Sequence, residues 1–224
     1  MTRETFRDRH EGGRALADRL EGLADRSDVL VLALPRGGVP VGFEVARRLH
    51  APLDVFLVRK LGVPGHSELA FGAIAADGVQ MINRGVVSAL GIAPGDVAAV
   101  IAEETAELAR REREYRDDRP PPQVTGATAI LVDDGLATGA SMLAAVAALR
   151  RLRPARIVVA VPVAAASTRE EFARVVDEVV CVRAPEAFHS VGSWYDDFTQ
   201  TTDAEVRELL RRAEVERTDA ATPD

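Results

Sequence analysis

Asp133 and Asp134 are adjacent carboxylates at the end of an apolar run, within A-I-L-V-D-D-G-L-A-T-G-A-S-M at residues 129–142. Like charges repel, so the pair is a poor phosphate ligand, but carboxylates accept hydrogen bonds from a sugar diol. Small residues follow at Gly135, Ala137, Gly139 and Ala140, with hydroxyls at Thr138 and Ser141, and then an Ala-rich helical pattern to residue 152. Small residues let a ligand approach the backbone closely. A helix start offers it N–H groups and the positive end of the dipole. Acids at a strand end with N–H donors one turn on fit a ribose 5-phosphate. The stretch is neither a Gly-Lys-Ser/Thr phosphate loop nor G-x-G-x-x-G.

A second anion-binding pattern lies upstream. The apolar run V-L-V-L-A-L at 29–34 ends in P-R-G-G-V-P, with a helical pattern at 41–49. Gly37 and Gly38 permit close backbone approach, and Arg36 adds a fixed charge with forked donors. A second set of cations, Arg59 and Lys60, closes the next apolar run, L-D-V-F-L-V at 53–58. Ligands of open α/β sheets gather outside the carboxyl ends of strands, so Arg36 and this pair are expected in one crevice. Residues 62–78 are Gly-rich and are expected to form a mobile lid. Glu68 and His66 are its titratable members nearest the basic pair, each a candidate acid or base.

These groups need a scaffold. Continuous apolar runs at 29–34, 129–132 and 157–161 predict strands buried on both faces, as in a parallel sheet. A further strand is expected at 178–182, a short one at 79–84, and helices at 5–24, 94–115 and 167–176, the last opening on a Ser-Thr-Arg-Glu-Glu capping pattern. The alternation predicts an α/β fold with a mostly parallel twisted sheet flanked by helices. Phe188, Trp194, Tyr195 and Phe198 cluster beyond the last strand, where they form either a platform for a planar base or a small packed core. His10 is expected at the surface and the end of the chain, from about 218, to fray.

Composition bounds the partners. The chain has 224 residues, 47% of them apolar, and a formal charge of −7. That balance argues against a nucleic-acid or anionic-membrane surface. Cys181, the single cysteine, excludes an internal disulfide and fits a reducing, cytoplasmic setting; in V-V-C-V it is expected as a buried strand residue. The N-terminal residues are charged, without the apolar segment of a secretory signal, and the longest apolar run is too short to span a bilayer.

The 129–142 stretch resembles the diphosphate-sugar signature of the type I phosphoribosyltransferases. The resemblance covers residues 28–60 and 129–182 well and implies a single domain. Its core would occupy about 28–182 and its flexible loop about 60–80, with a small hood from the N-terminal helix and about 183–202. It implies transfer of ribose 5-phosphate from phosphoribosyl diphosphate to a nitrogenous base, with Mg²⁺ bound through the donor and possibly Asp133 and Asp134. The carry-over assigns the ribose to Asp133 and Asp134, and the 5-phosphate to Gly135, Ala137, Thr138, Gly139, Ala140 and Ser141. The pyrophosphate falls to Arg36, Gly37, Gly38, Arg59 and Lys60, catalysis to the acids with Arg36, Lys60 and Glu68, and the base to Val191, Trp194 and Tyr195. A homodimer is implied too. Ala137 stands where many 6-oxopurine enzymes of the family have Asp, so the acceptor stays open. The helix at 94–115 lengthens the gap between Lys60 and Asp133. A non-catalytic sensor of phosphoribosyl diphosphate or a nucleotide would retain the same residues.

Overall fold

A computed structural model describes residues 5–75, 78–116 and 120–220, with the backbone alone at 67, 68 and 220. Its centre is a five-stranded parallel sheet in the order β2-β1-β6-β7-β8. The strands are β1 (Val29–Ala33), β2 (Leu53–Val55), β6 (Thr128–Val132), β7 (Arg156–Val163) and β8 (Glu178–Arg183). All five residues of β1 and of β6 are buried. Alternate side chains of β1 enter different cores. Val29, Val31 and Ala33 pack with α1 (Arg9–Arg19), α2 (Gly38–Leu49) and α7 (Asp203–Ala220). Leu30 and Leu32 pack with Met142, Ala145 and Leu149 of α5 (Ala140–Arg151). Helices therefore cover both faces, which is why these strands read as unbroken apolar runs.

Chain order reverses direction between β1 and β6, which pair in register from Val29 with Thr128 to Ala33 with Val132. The loops leaving their carboxyl ends diverge to opposite faces, and the crevice between them is the topological switch point where ligands of such sheets bind.

Three corrections to the expected elements concern the second layer. The run at 53–58 breaks: β2 stops at Val55, where the Val55 carbonyl accepts from Arg116 Nη2 at 3.0 Å, and β3 (Val58–Val63) leaves the main sheet. The Gly-rich 62–78 region is largely strand among its described residues. It runs into the strand β4 (His66–Ala75), which pairs antiparallel with β3 and with β5 (Gln80–Ile82). Of its glycines, Gly72 marks a close backbone contact: a Cβ there would lie 2.2 Å from the Met81 carbonyl oxygen. The third correction is at α6 (Ala166–Phe172), which starts one residue before Ser167 and has no side-chain cap; Thr168 instead donates its hydroxyl to the Ala137 carbonyl, 2.7 Å away.

The helix α4 (Pro94–Arg116) follows the short α3 (Arg84–Ala89). It is anchored at its end by Arg116, which is buried and pairs with Asp54 of β2 at 3.2 Å and Glu112 at 3.0 Å. Near the other end of the chain α7 includes residues 218–220, and the rest of the end expected to fray, 221–224, lies outside the described residues. The expected 5–24 helix is shorter: α1 spans Arg9–Arg19, capped by Asp8, and a single 3-10 turn covers Glu21–Leu23. No helix among the described residues is long and apolar enough to cross a membrane.

Candidate functional site

The apolar run of β6 delivers Asp133 and Asp134 to the carboxyl edge of the sheet, at the switch point. Asp133 Oδ1 accepts from the Asp134 N–H at 2.8 Å. Burial, with the neighbouring Asp134 charge added, pushes the Asp133 carboxyl well above the usual carboxylate range. Burial raises Asp134 as well, and Arg9 opposes that shift. The protein therefore holds two desolvated, mutually repelling acids side by side. Any donor that hydrogen-bonds them relieves both penalties.

The loop after β1 lies against the pair. The Pro35–Arg36 peptide is cis. A Cβ on Gly37 would meet Asp134 Oδ2 at 2.2 Å, and one on Gly38 would meet the Val132 carbonyl oxygen at 2.7 Å and the Asp133 Cα at 2.9 Å. Only glycine lets the two loops touch. Arg36 is half-buried and points to Asp203 at the start of α7, with 3.5 Å between Nη1 and Oδ2. Asp203 also accepts from the Tyr115 hydroxyl of α4.

Beyond the acids, the chain is pinned and then released. The Leu136 N–H donates to the Val163 carbonyl at 2.9 Å, and the Leu136 carbonyl accepts from Ala165. Gly139 takes a left-handed φ of +70° immediately before α5, with Phe172 packed where a side chain would go. Ala137, Thr138, Ala140 and Ser141 are exposed around it. No side chain caps α5, and the first-turn N–H groups of any helix have no intrahelical acceptor. An anion held there gains those donors and the dipole.

Residues 192–194 form a 3-10 turn of the hood. Val191 reaches the acid loop, since a Cβ at Gly135 would sit 2.6 Å from its Cγ1. Trp194 is half-buried. Tyr195 is buried with Phe6 and Val163 and donates its hydroxyl to the Asp134 carbonyl at 2.6 Å; it packs the hood to the acid loop rather than offering a free face to a base. The hood has two origins in the chain: Phe6 bridges Tyr195, and the Phe6 N–H donates to the Trp194 carbonyl at 2.8 Å.

The basic pair is divided by the strand it sits on. Arg59 of β3 pairs with Glu104 of α4 at 2.5 Å, while Lys60 is exposed on the same strand. Glu104 and Tyr115 are separated by about 16 Å of helix at 1.5 Å per residue, so the carboxylate holding Arg59 lies well along α4 from the one holding Arg36. Arg36 and Arg59, expected in one crevice, are thus held by different carboxylates in two ion pairs. Glu68 lies in β4, and its side chain falls outside the described residues. Cys181 is half-buried in β8, its thiol donating to the Arg183 carbonyl at 2.9 Å.

Two residues that contact the sequence-predicted site carry no sequence signal. Arg9 of α1 donates Nε to Asp134 Oδ2 at 2.8 Å, with side-chain exposures of 10% and 14%. Asp203 is one acid among many on α7. His10, expected at the surface, instead lies 3.0 Å from the buried Glu44.

A family model described as "Phosphoribosyl transferase domain" matches residues 8–197. A Mycobacterium tuberculosis protein named "Putative phosphoribosyl transferase Rv0571c" is 46% identical over 219 residues, which is 98% of this chain and 49% of that protein. A second M. tuberculosis relative, "Putative phosphoribosyl transferase MT0597" of another strain, matches to the same extent. The chain therefore spans about half the length of these curated relatives. Among solved structures, TT1426 from Thermus thermophilus is 41% identical, covers 93% of this chain and 98% of its own, and superposes with a TM-score of 0.82.

Proposed function

Since this chain belongs to the phosphoribosyl transferase domain family, we propose that it transfers ribose 5-phosphate from phosphoribosyl diphosphate to a nitrogenous base, releasing pyrophosphate. The observation that carries this reading is the contact of Gly37 and Gly38 with the Asp133–Asp134 pair, with the uncapped α5 start one turn beyond. Three ligand parts in order, an anion, a diol and a phosphate, match three adjacent stations of the protein.

In this reading the exposed loop at Ala137, Thr138, Ala140 and Ser141 anchors the 5-phosphate, and the acids take the ribose hydroxyls. Gly37 and Gly38 admit the diphosphate to the backbone, and Arg36 neutralises the charge that grows on it as the glycosidic bond breaks. The oxocarbenium-like sugar left behind is electron-poor, and the oxygens of Asp133 and Asp134 stabilise it by accepting hydrogen bonds from its hydroxyls. Most of the rate gain then comes from positioning and preorganised electrostatics, where one well-aimed donor is worth about 3–4 kcal/mol. Mg²⁺ suits the hard carboxylate oxygens of Asp133 and Asp134 and the oxygens of a diphosphate, and when bound it offsets charge on the leaving group. The hood edge at Val191 and Trp194 faces the acceptor side.

Incubation with Mg²⁺, phosphoribosyl diphosphate and a panel of purines and pyrimidines, with pyrophosphate as the readout, tests the reading. Pyrophosphate release that depends on one base supports it. Tight donor binding without turnover on any base turns the assignment to a sensor of the same ligand, and absence of donor binding refutes both.

A further inference from the structure

Given the donor-binding reading of this site, we propose that Arg9 is a positioning residue that makes the two acids unequal. In this arrangement Asp134 is the keystone joining hood, acid loop and leaving-group loop, and Asp133 is the carboxylate that takes the ribose diol.

Arg9 and Asp134 are 125 positions apart in the chain, yet their ion pair is nearly buried. The guanidinium spends its other contacts on the hood: Nη1 donates to the Thr199 carbonyl at 2.7 Å, and the group lies 3.9 Å from the centre of the Phe198 ring. Phe198 in turn stacks on Tyr195, whose hydroxyl returns to the Asp134 carbonyl. Asp134 is thus held at its carboxylate by Arg9, at the start of α1, and at its backbone by Tyr195, just past the 3-10 turn at 192–194. The same Oδ2 that accepts from Arg9 is the atom pressed against Gly37, and Arg9 Nε itself lies 3.4 Å from where a Gly37 Cβ would be. One oxygen therefore meets all three loops.

The consequence is a division of labour. Asp134 Oδ2 is consumed by the protein, in a charge-assisted bond of ordinary length for such pairs. The Asp133 side chain accepts from a single backbone N–H, at Oδ1, which leaves hydrogen-bonding capacity for a diol. A planar fork that reaches a carboxylate, a carbonyl and a ring face at once is an arginine arrangement, and lysine reproduces its charge but not its geometry.

Calorimetric titration with phosphoribosyl diphosphate and Mg²⁺ tests this on wild type, Arg9→Gln, Arg9→Lys, Asp134→Asn, the Arg9→Gln/Asp134→Asn double variant and Asp133→Asn, with melting temperature measured on each. The expected result is at least a tenfold loss of affinity in Arg9→Gln and partial recovery in Arg9→Lys. The double variant should lie within about twofold of Asp134→Asn, because coupled residues are non-additive. Asp133→Asn should lose donor binding without a fall in melting temperature. Wild-type affinity in a folded Arg9→Gln protein, whatever its melting temperature, assigns Arg9 a structural role only and overturns the proposal. Additive losses in the double variant overturn it too. Should Arg9→Gln fail to fold, Arg9→Lys and Arg9→Lys/Asp134→Asn carry the same comparison. Failure of the wild type to bind donor sinks the donor reading and this assignment together, whereas wild-type binding with an indifferent Arg9 sinks the assignment alone.

Discussion

Gly37 and Asp134 are in such close contact that a Cβ on the glycine would sit 2.2 Å from the carboxylate oxygen. The two residues come from different βα loops, and their contact is what turns two ordinary strand ends into one site. Gly37→Ala is therefore expected to push the loops apart. Overpacking of this kind costs about 1–3 kcal/mol, and here it also moves the acid pair. A lower melting temperature together with a loss of donor affinity is the expected outcome; a variant with wild-type affinity would show that the contact is dispensable.

Asp203 competes for Arg36. Its carboxylate lies 3.5 Å from the guanidinium and is partly exposed, a geometry worth at most about 1 kcal/mol. An anionic leaving group must draw Arg36 away from it. Asp203→Asn should tighten inorganic pyrophosphate by up to roughly fivefold, in keeping with that small energy, with the gain fading at high salt. Weaker binding in this variant would mean that Asp203 orients Arg36 rather than detains it.

Glu44 sets an acid-side limit to stability. It is buried at the α1–α2 interface against His10, Arg14 and Arg47. Burial alone would raise its carboxyl, but the hydrogen bond to His10 and the attraction of Arg47 outweigh that, and the net shift is downward. A carboxylate with a lowered folded value contributes stability above its unfolded value, roughly 4.3, and loses it as pH falls through the folded one. Glu44→Gln should cost about 1–3 kcal/mol near neutrality, and urea titrations should show the gap to wild type closing below about pH 4. A gap that stays constant with pH would rule out the charge as its source.

Arg116 ties α4 to the sheet. Arg116→Ala leaves Asp54 as a buried charge without this partner, and breaking such a pair costs about 3–5 kcal/mol. Chemical denaturation measures this directly. A loss under 1 kcal/mol would mean that Asp54 relaxes to water.

The strands of the main sheet, the crossing helices and the glycine positions of both strand-to-helix loops were legible because their signals are local. Val29–Ala33 is unbroken and apolar for the same reason it is buried on both faces, and Gly37, Gly38 and Gly139 sit where the backbone has no room for a side chain. The strands in the Gly-rich segment after residue 60 were not legible. Gly62 and Gly72 suggested a loop, whereas they accommodate a register shift and a crossing carbonyl in an antiparallel sheet; the alternation of Leu61 and Val63 as buried residues was the overlooked strand signal. Arg9 could not be found at all from local pattern. Its partner lies in another loop, and an arginine in a charged helix start carries no mark of the carboxylate it will meet.

Thr5 and Asp196, which hydrogen-bond across the hood, are 191 positions apart. At about 5–20 residues per second, synthesis delivers the second half of that roof roughly 10–40 s after the first. For most of that interval the chain is making the strands from β1 to β7 and the loops that carry Gly37 and Asp134, while Phe6 and Arg9 still lack Tyr195 and Thr199, the residues that seat them. The contacts that seat Arg9 against Asp134 therefore wait on residues made after every strand of the sheet, and only α7 follows them.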